Sequence, residues 1–356
     1  MTIKNRGAFS HPEGRFEVRH YENYDDGWEK FDEEELPPLE TILYPESAKS
    51  IITRNDSPDL SFEQSINPYR GCEHGCIYCY ARPSHSYVNL SPGLDFETKI
   101  FYKKNPAELL TKEINKPGYQ CTPIMIGANT DPYQPVEAKL KITRSILEVL
   151  HAHNHPFTII SKSCMIERDL DLLSDMAKKN LVSVAISMTT LSPDLKRILE
   201  PRTSAPKARL RAIKHLSEAG VPVRVMAAPM IPMINDSELE RILKLSAEAG
   251  AKKASYVLVR LPHEVKDLFR EWLAHHFPQR AEHVMSIIQQ MRGGKDYDAT
   301  FGKRMRGEGE FAALLSKRFK LACQRFKLNQ TEHKPLDTSL FKQYHQSSQL
   351  DLWILS

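Results

Sequence analysis

The stretch that decides the fold is "QSINPYRGCEHGCIYCYARP", residues 64–83, in which a short apolar run leads into three closely spaced cysteines. Cys72, Cys76 and Cys79 are half of the 6 cysteines in the chain. Thiolates are soft ligands that suit zinc, copper(I) and iron–sulfur clusters. Because sites of this kind usually take four ligands, the fourth position needs an explanation.

Two interpretations of the missing ligand follow from the residues themselves. A closed zinc site with three cysteines and one histidine is possible, because His74 lies between the cysteines and His85 follows them. Such a site belongs to a non-catalytic, zinc- or cluster-stabilised binding protein. The alternative leaves one metal position open for chemistry. The predicted strand before the cysteines, and Tyr78 just before the last of them, favour this second interpretation.

Six short apolar runs rich in β-branched residues recur along the middle of the chain, separated by segments with helical periodicity. The runs lie at residues 64–67, 123–128, 157–161, 182–187, 223–228 and 255–259. This alternation predicts an α/β fold with a parallel sheet covered by helices. Six such units suit a (β/α)6 barrel, complete or partial, whose functional residues lie at the carboxyl ends of the strands.

The flanks of this region differ from it in composition. We predict an acidic, irregular N-terminal arm over residues 1–60 and a partial barrel over 61–262. A helical, basic C-terminal region over 263–330 then caps the barrel, and a polar, mobile tail covers 331–356. The net charge is only +4, but an acidic start and a basic end indicate an anionic partner. A solvated surface is the alternative explanation for such charge runs.

The composition is that of a soluble globular protein, with 41% hydrophobic and 26% charged residues. We expect it in the cytosol, for the two reasons that follow. No apolar run approaches the roughly 20 residues needed to cross a bilayer, so we expect no membrane association. The first residues lack the apolar segment of a secretory signal. In a reducing cytoplasm, clustered cysteines indicate metal binding or catalysis rather than disulfides.

The segment "CEHGCIYC", residues 72–79, matches the CxxxCxxC signature of the radical S-adenosylmethionine (radical SAM) superfamily, including the aromatic residue before the third cysteine. The resemblance implies a TIM-like partial barrel and a 4Fe-4S cluster held by Cys72, Cys76 and Cys79. It also implies that the amino and carboxylate groups of S-adenosyl-L-methionine (SAM) chelate the fourth iron. An electron, from a donor such as a flavodoxin or ferredoxin, then cleaves SAM to a 5′-deoxyadenosyl radical that abstracts hydrogen from the substrate.

Further blocks resemble one group within that superfamily, the spore photoproduct lyases, which repair a thymine dimer in DNA. The blocks are "GANTDPYQ" (127–134), "IISKS" (159–163), "AISMTT" (185–190), "LEPRTSAPKARLRAIKHLSEAG" (199–220) and "AAPMIP" (227–232). The chain is identified as a bacterial relative of these lyases. The resemblance implies a nucleic-acid substrate, with DNA repair or modification as the reaction. RNA, a peptide or a metabolite is the alternative substrate.

Polar residues at consecutive strand ends match the SAM site that the resemblance implies. The assignments are Thr130 and Asp131 to the methionine ammonium, Lys162 to the carboxylate, Ser187 and Arg209 to the carboxylate or ribose, and Tyr78 and Ala228 to adenine. Pairing with Glu200 is the alternative for Arg209. Each residue alone also has an ordinary explanation, such as a capping aspartate, a surface lysine or a buried serine.

One position departs from the lyase pattern. We align Ala128 with a lyase cysteine that returns hydrogen to the product radical, so the thiol is absent here. Either the hydrogen donor lies elsewhere or the reaction needs none. Cys164 is a candidate donor, with a packed thiol as the alternative. Tyr80 is a candidate hydrogen relay, with packing beside the cluster as the alternative.

The chain ends in "QSSQLDLWILS", and its segment "QLDLW", residues 349–353, resembles the pentapeptide that binds the bacterial DNA sliding clamp. The resemblance implies that Leu350, Leu352 and Trp353 enter an apolar pocket of the clamp while Gln349 makes orienting hydrogen bonds. Trp353 replaces the usual phenylalanine. The alternative is that "LWIL" packs back onto the protein.

Replacing both Gln349 and Leu352 by alanine should abolish binding to the sliding clamp, because it removes the orienting amide and an apolar anchor together. Isothermal titration of the full chain with purified clamp measures the effect. The matched control replaces Ser347 and Ser348, which precede the pentapeptide in the same tail. Equal clamp affinity of the two double variants would refute the motif.

Overall fold

The structure of the protein, a computed structural model, describes residues 6–16, 39–330 and 334–344. The predicted clamp-binding segment, with Gln349, Leu350, Leu352 and Trp353, lies outside the described residues, as does most of the acidic part of the predicted arm. No helix in the described ranges is long and apolar enough to cross a membrane.

Ten strands and eleven α-helices make up the described fold. The strands are β1 (Ile42–Glu46), β2 (Ile52–Arg54), β3 (Gln64–Ile66), β4 (Tyr69–Arg70), β5 (Lys99–Lys103), β6 (Ile124–Ile126), β7 (Phe157–Ser161), β8 (Val182–Ser187), β9 (Val223–Met230) and β10 (Lys253–Leu258). The helices are α1 (Asp95–Thr98), α2 (Pro106–Ile114), α3 (Glu137–Leu140), α4 (Ile142–Ala152), α5 (Leu170–Lys178), α6 (Pro193–Leu199), α7 (Pro206–Glu218), α8 (Leu239–Glu248), α9 (Val265–His276), α10 (Ala281–Gln290) and α11 (Gly309–Arg325). Short 3-10 helices cover Arg82–Val88, Cys164–Asp169 and Asp236–Glu238.

The main sheet has seven strands in the order β10-β9-β8-β7-β6-β3-β2. Strands β3 and β6 to β10 pair in parallel, and β2 adds an antiparallel edge next to β3. Right-handed crossovers between successive parallel strands place the connecting helices on one face of the sheet. In the described residues the sheet runs from β10 to β2 without returning, which is the predicted α/β fold of a partial (β/α)6 barrel.

The six predicted apolar runs are the six parallel strands. The bounds of β7 and β8 match the prediction, whereas β9 extends to Met230 and β10 begins at Lys253. Alternate residues of β8, including Val182, Val184 and Ile186, are fully buried. Near-continuous apolar strands are typical of a parallel sheet covered by helices, so the apolar runs of the sequence predict these strands.

A second, three-stranded sheet in the order β1-β5-β4 lies beside the barrel and was not predicted. Its first strand, and β2 of the main sheet, fall within residues 1–60, where an irregular arm was expected. Glu46 links all three strands, because its carboxylate lies 2.9 Å from Arg70 Nη2 and 2.5 Å from Lys103 Nζ. Strand β1 contains Pro45, and all of its residues are exposed or partly exposed, so it lacks the buried alternation that marks a strand.

The C-terminal region supplies helices α9, α10 and α11. Helix α11 packs on α8 through Arg318, whose guanidinium lies 2.7 and 2.8 Å from the Glu240 carboxylate oxygens. Residues 334–344, part of the predicted mobile tail, contact the barrel. Phe341 packs edge-on to the His155 ring and Tyr344 edge-on to the His153 ring. These two aromatic residues anchor a segment whose composition is otherwise polar.

Acid should weaken the fold at His155, which is buried between the Tyr119 hydroxyl, 2.9 Å from Nε2, and the Pro156 carbonyl, 3.0 Å from Nδ1. Burial lowers the pKa of His155 to about 4. Between about pH 6.5 and 4 the unfolded chain therefore takes up a proton that the folded chain excludes. The free energy of unfolding should fall through this window as the pH falls, by about 3 kcal/mol from this residue.

Urea unfolding at pH 7 and at about pH 4.5 measures this dependence, and His155→Gln should flatten it. His283→Gln, on the exposed side of α10, is the control and should keep the wild-type pH dependence. A His155→Gln curve parallel to that of the wild type would contradict the assignment.

Candidate active site

The three cysteines occupy a tight loop that follows β4. Cys72 and Cys76 are buried, Cys79 is partly buried, and the Cys72 N–H donates to the Phe96 carbonyl at 2.9 Å. Gly75 has φ +67°, and a Cβ there would lie 2.8 Å from Glu97 Oε2, so glycine is required for the turn. The loop therefore holds three thiols against the protein interior.

The thiols act on one another electrostatically. Burial raises the pKa of Cys72 well above its ordinary value, and the neighbouring Cys76 and Cys79 raise it further. Burial likewise raises the pKa of Cys76 to about 12, although the charge of Lys162 opposes the shift. Binding a metal must displace these protons, and a strongly charged centre can do so.

The donor set fits an iron–sulfur cluster. Among the described residues, no group of three or more His, Cys, Asp or Glu side chains is arranged to hold a single metal ion. A 4Fe-4S cluster binds each thiolate to a different iron, and Cys76 and Cys79 lie near enough to Cys72 to raise its pKa. The two histidines of the zinc interpretation have other partners. His74 Nδ1 lies 3.3 Å from Asp131 Oδ2, and His85 Nε2 lies 3.0 Å from the Lys99 carbonyl.

A fully buried ion pair supports the loop from behind. Arg82 Nη2 lies 2.5 Å from Glu97 Oε1, and both side chains are 0% exposed. Arg82 Nε donates to the Cys76 carbonyl at 3.0 Å. The Glu97 carboxylate also accepts from the N–H groups of Gly7 and Ala8, both at 2.9 Å. Neither Arg82 nor Glu97 was predicted, since nothing in the local pattern marks a buried charge.

The N-terminal segment, residues 6–16, lies directly on this support. A Cβ on Gly7 would lie 1.8 Å from the Gly75 carbonyl oxygen, so the two backbones are in close contact. Arg6 Nη1 donates to the Glu97 carbonyl at 2.8 Å. The segment thus covers the cysteine loop on the side of Glu97.

At the end of β6, Asp131 ties the cysteine loop to β7. Its carboxylate accepts from the Ser161 hydroxyl and from the Lys162 N–H, both at 2.7 Å, and faces His74. Burial alone would raise the pKa of Asp131, but the charge of His74 and these hydrogen bonds outweigh it and lower the pKa to about 2. Thr130 is also buried, and its hydroxyl donates to the Tyr69 carbonyl at 2.7 Å. Binding of the SAM ammonium by Thr130 and Asp131 stays a prediction.

Lys162 and Tyr78 lie together beside Cys76. Lys162 Nζ is 5.9 Å from the centroid of the Tyr78 ring, whose hydroxyl is 3.2 Å from Glu200 Oε1. Burial acts to lower the pKa of Lys162, but the charges of Cys76 and Glu200 outweigh it and raise that pKa. Nζ forms no hydrogen bond with the described residues. The ammonium is therefore charged and available to an anionic ligand.

The remaining predicted SAM residues, Ser187, Arg209 and Ala228, form one network. Arg209 Nη2 lies 2.7 Å from Glu200 Oε2, and Nη1 donates to the Ser187 carbonyl at 2.9 Å. The Ser187 hydroxyl donates to the Ala228 carbonyl at 3.1 Å. Arg209 thus has the pairing with Glu200 that the sequence left open. It holds the carboxyl end of β8, and it is only 2% exposed.

Tyr80 and Cys164, the candidate catalytic residues, have different surroundings. Tyr80 is 42% exposed, and its hydroxyl donates to the carbonyl of Ala128, the position aligned with the lyase cysteine. Cys164 begins a 3-10 helix after β7, and its Sγ lies 3.4 Å from the Ser204 hydroxyl. Tyr80 therefore hydrogen-bonds to Ala128, the position that departs from the lyase pattern, and Cys164 does not.

The model of the radical SAM superfamily matches residues 66–246, about half of the chain, and includes the cysteine loop and most strands of the parallel sheet. The chain belongs to the radical SAM superfamily. The superfamily is one of radical enzymes, and membership implies a 4Fe-4S cluster and SAM as cofactors.

Curated relatives come from distant organisms. An uncharacterised protein of Mycobacterium tuberculosis is 37% identical over 222 residues, 62% of this chain and 65% of the relative. An uncharacterised protein of Methanocaldococcus jannaschii is 29% identical over 173 residues, 49% of this chain and 62% of the relative. The chain thus spans just under two thirds of the mycobacterial and archaeal relatives.

Among solved structures, spore photoproduct lyase complexed with dinucleoside spore photoproduct superposes with a TM-score of 0.59. The match covers 80% of this chain and 79% of the lyase, at 17% sequence identity. Another structure of the lyase, with bound AdoMet, superposes with a TM-score of 0.57 at 18% identity. The likeness shows a shared fold, which agrees with the partial barrel described above.

Replacing Arg82 by methionine should lower the free energy of unfolding by about 3–5 kcal/mol, because it leaves the Glu97 charge buried and unpaired. Urea unfolding of the metal-free protein measures this loss. Arg211→Met is the control, since Arg211 is 56% exposed and lies 3.6 Å from Glu167. The control should stay within about 0.5 kcal/mol of the wild type. Equal effects of the two variants would contradict the role given to the buried pair.

Proposed function

We propose that the enzyme binds a 4Fe-4S cluster through Cys72, Cys76 and Cys79, binds SAM beside Lys162, and acts on a nucleic acid, in DNA repair or modification. The observation that carries the proposal is the placement of the Lys162 ammonium. It lies over the Tyr78 ring and within electrostatic reach of Cys76, with no hydrogen-bonding partner among the described residues. An anionic group bound there would be next to the cysteine loop.

Once bound, the cluster would supply the electron that reduces the SAM sulfonium, which is the radical chemistry of the superfamily. The chain contributes binding, orientation and exclusion of water. Lys162 pairs with the SAM carboxylate, and Thr130 and Asp131 accept from its ammonium. Tyr78 and the backbone at Ala228 contact adenine. Ser187 and Arg209 support the ribose side, Arg209 by holding the end of β8 rather than by a free guanidinium.

A nucleic-acid substrate is supported by the charge around Tyr80. This tyrosine follows the last cluster cysteine, and Arg260, Lys162 and Arg304 are all close enough to act on its hydroxyl electrostatically. A cationic rim attracts a polyanionic strand and favours its approach to the site. The fold likeness to a lyase solved with a dinucleoside photoproduct agrees with this substrate class.

The hydrogen bond between Tyr80 and the Ala128 carbonyl bears on the fate of the substrate radical. Ala128 carries no thiol, and the Tyr80 hydroxyl donates to the Ala128 carbonyl. We place Tyr80 as the hydrogen relay, with Cys164 as the second candidate. A reaction that needs no returned hydrogen would leave Tyr80 as a packing residue.

The partners of the enzyme follow from its chemistry and from the C-terminal tail. A flavodoxin or ferredoxin in the cytoplasm supplies the electron. Residues 349–353 bind the DNA sliding clamp, which would bring the enzyme to newly replicated or repaired DNA.

Replacing Lys162 by methionine should weaken SAM binding by roughly tenfold or more while leaving the cluster in place, because it removes the cation for the carboxylate. Equilibrium dialysis with labelled SAM measures binding in the anaerobically reconstituted protein. Iron content and visible absorbance report the cluster. Lys214→Met, at a 63% exposed site on α7, is the matched control. Cys76→Ala should instead lose both the cluster and the conversion of SAM to 5′-deoxyadenosine.

The substrate is tested by deuterium transfer from labelled DNA into 5′-deoxyadenosine. Cleavage of SAM without transfer from DNA would point to RNA, a peptide or a metabolite instead. Purification with zinc, no iron–sulfur absorbance and no SAM cleavage would refute the enzyme mechanism as a whole. A wild-type SAM affinity in Lys162→Met would refute the placement of the carboxylate.

A further inference from the structure

Arg260 stands out among the cations of the rim because its guanidinium has only weak partners. It lies two positions after β10, with its centre 5.0 Å from the centroid of the Tyr80 ring. Nη2 is 3.4 Å from the Tyr297 hydroxyl and Nη1 is 3.6 Å from Met305 Sδ. Its Nε is buried without a hydrogen-bond partner, and no carboxylate of the described residues forms an ion pair with Arg260.

A second arginine near Arg260, Arg292, also has no acidic partner in the part of the chain that the structure describes. Arg292 is 2% exposed, and its Nη1 and Nη2 donate to the carbonyls of Lys303 and Val259 at 2.9 and 3.0 Å. Burial lowers the pKa of Arg292, and the charge of Arg260 lowers it further, against an opposite effect of Asp298. Arg260 is partly exposed and Arg292 is buried, and two neighbouring cations without a paired acid repel each other at a cost. A bound anion would offset that cost.

The loop that carries Arg292 is fixed to both edges of the open sheet. At the β10 edge, the Leu258 N–H donates to the Met305 carbonyl at 3.0 Å. At the other edge, Arg304 Nε lies 2.6 Å from Asp59, in the segment that follows β2. The loop over residues 291–308 therefore spans the opening of the partial barrel. Arg260 contacts this loop at Tyr297 and Met305, and it contacts the cysteine-loop side at Tyr80.

We propose that Arg260 and Tyr80 bind a phosphodiester group of the substrate strand at this opening, an inference that rests on the nucleic-acid substrate proposed above. A guanidinium offers a planar fork of donors that matches phosphate oxygens. Tyr80 holds one face of that fork, and the exposed part of its ring offers a surface on which a base can stack. Arg304 is already paired with Asp59, and Arg292 is occupied by backbone carbonyls, so Arg260 keeps the donors that a phosphate needs.

The test measures binding of a fluorescent single-stranded oligothymidylate to the full chain, reconstituted anaerobically with SAM, over a series of salt concentrations. Arg260→Gln should weaken binding by roughly tenfold or more. It should also reduce the slope of log affinity against log salt by about 1, because one phosphate contact is lost. Arg260→Lys keeps the charge but not the fork, so it should keep the slope and lose affinity. Arg241→Gln is the matched control, removing one exposed charge from α8.

Each outcome decides a different question. If the wild type binds and Arg260→Gln behaves like Arg241→Gln, the phosphate site is overturned while the nucleic-acid substrate stands. If the wild type shows no salt-dependent binding, both are overturned. Circular dichroism checks the folding of each variant. If Arg260→Gln does not fold, Arg260→Lys decides, since wild-type affinity in that variant would overturn recognition by the guanidinium fork.

Discussion

The buried ion pair between Arg82 and Glu97 is the interaction on which the rest of the site depends. Neither side chain reaches solvent, so the two charges are stable only because each is paired and hydrogen-bonded. Arg82 fixes the Cys76 carbonyl, and Glu97 fixes the backbone of the N-terminal segment at Gly7. One pair thus holds the cysteine loop, helix α1 and the chain start in a single arrangement.

Around that support, the polar groups of the strand ends divide into two kinds. Arg209 is paired with Glu200 and donates to the Ser187 carbonyl, so it sets the position of the end of β8. Lys162 and Arg260 keep donors that no carboxylate within the described ranges satisfies, one beside the cysteine loop and one at the opening of the barrel. A side chain whose hydrogen bonds are all made within the protein fixes the position of its strand end. A cation with unused donors can instead bind an anion, because a donor without a partner gains most from an incoming acceptor. This division separates a cofactor end of the site from a substrate end.

The sequence predicted most of the fold and the identity of the cofactor loop. Near-continuous apolar strands have a clear pattern, and three cysteines at fixed spacing have few explanations. It did not predict β1, whose proline and exposed face carry no strand signal. Nor did it distinguish the roles of Lys162 and Arg209, because both are cations near strand ends. Only their partners separate them: Glu200 pairs with Arg209, while the ammonium of Lys162 hydrogen-bonds to none of the described residues.

By itself, the sequence determined the radical SAM motif at Cys72, Cys76 and Cys79 and the strand–helix alternation that follows it. Both depend only on the spacing of residues close together in the chain. The tertiary structure decided which charges are buried together and which remain available. Two contacts could not be predicted from the sequence near either residue: the ion pair of Arg82 with Glu97 and the cation–π contact of Arg260 with Tyr80. Their proximity arises from packing, where the cost of burying an unpaired charge depends on the surrounding protein rather than on the neighbouring residues in the chain.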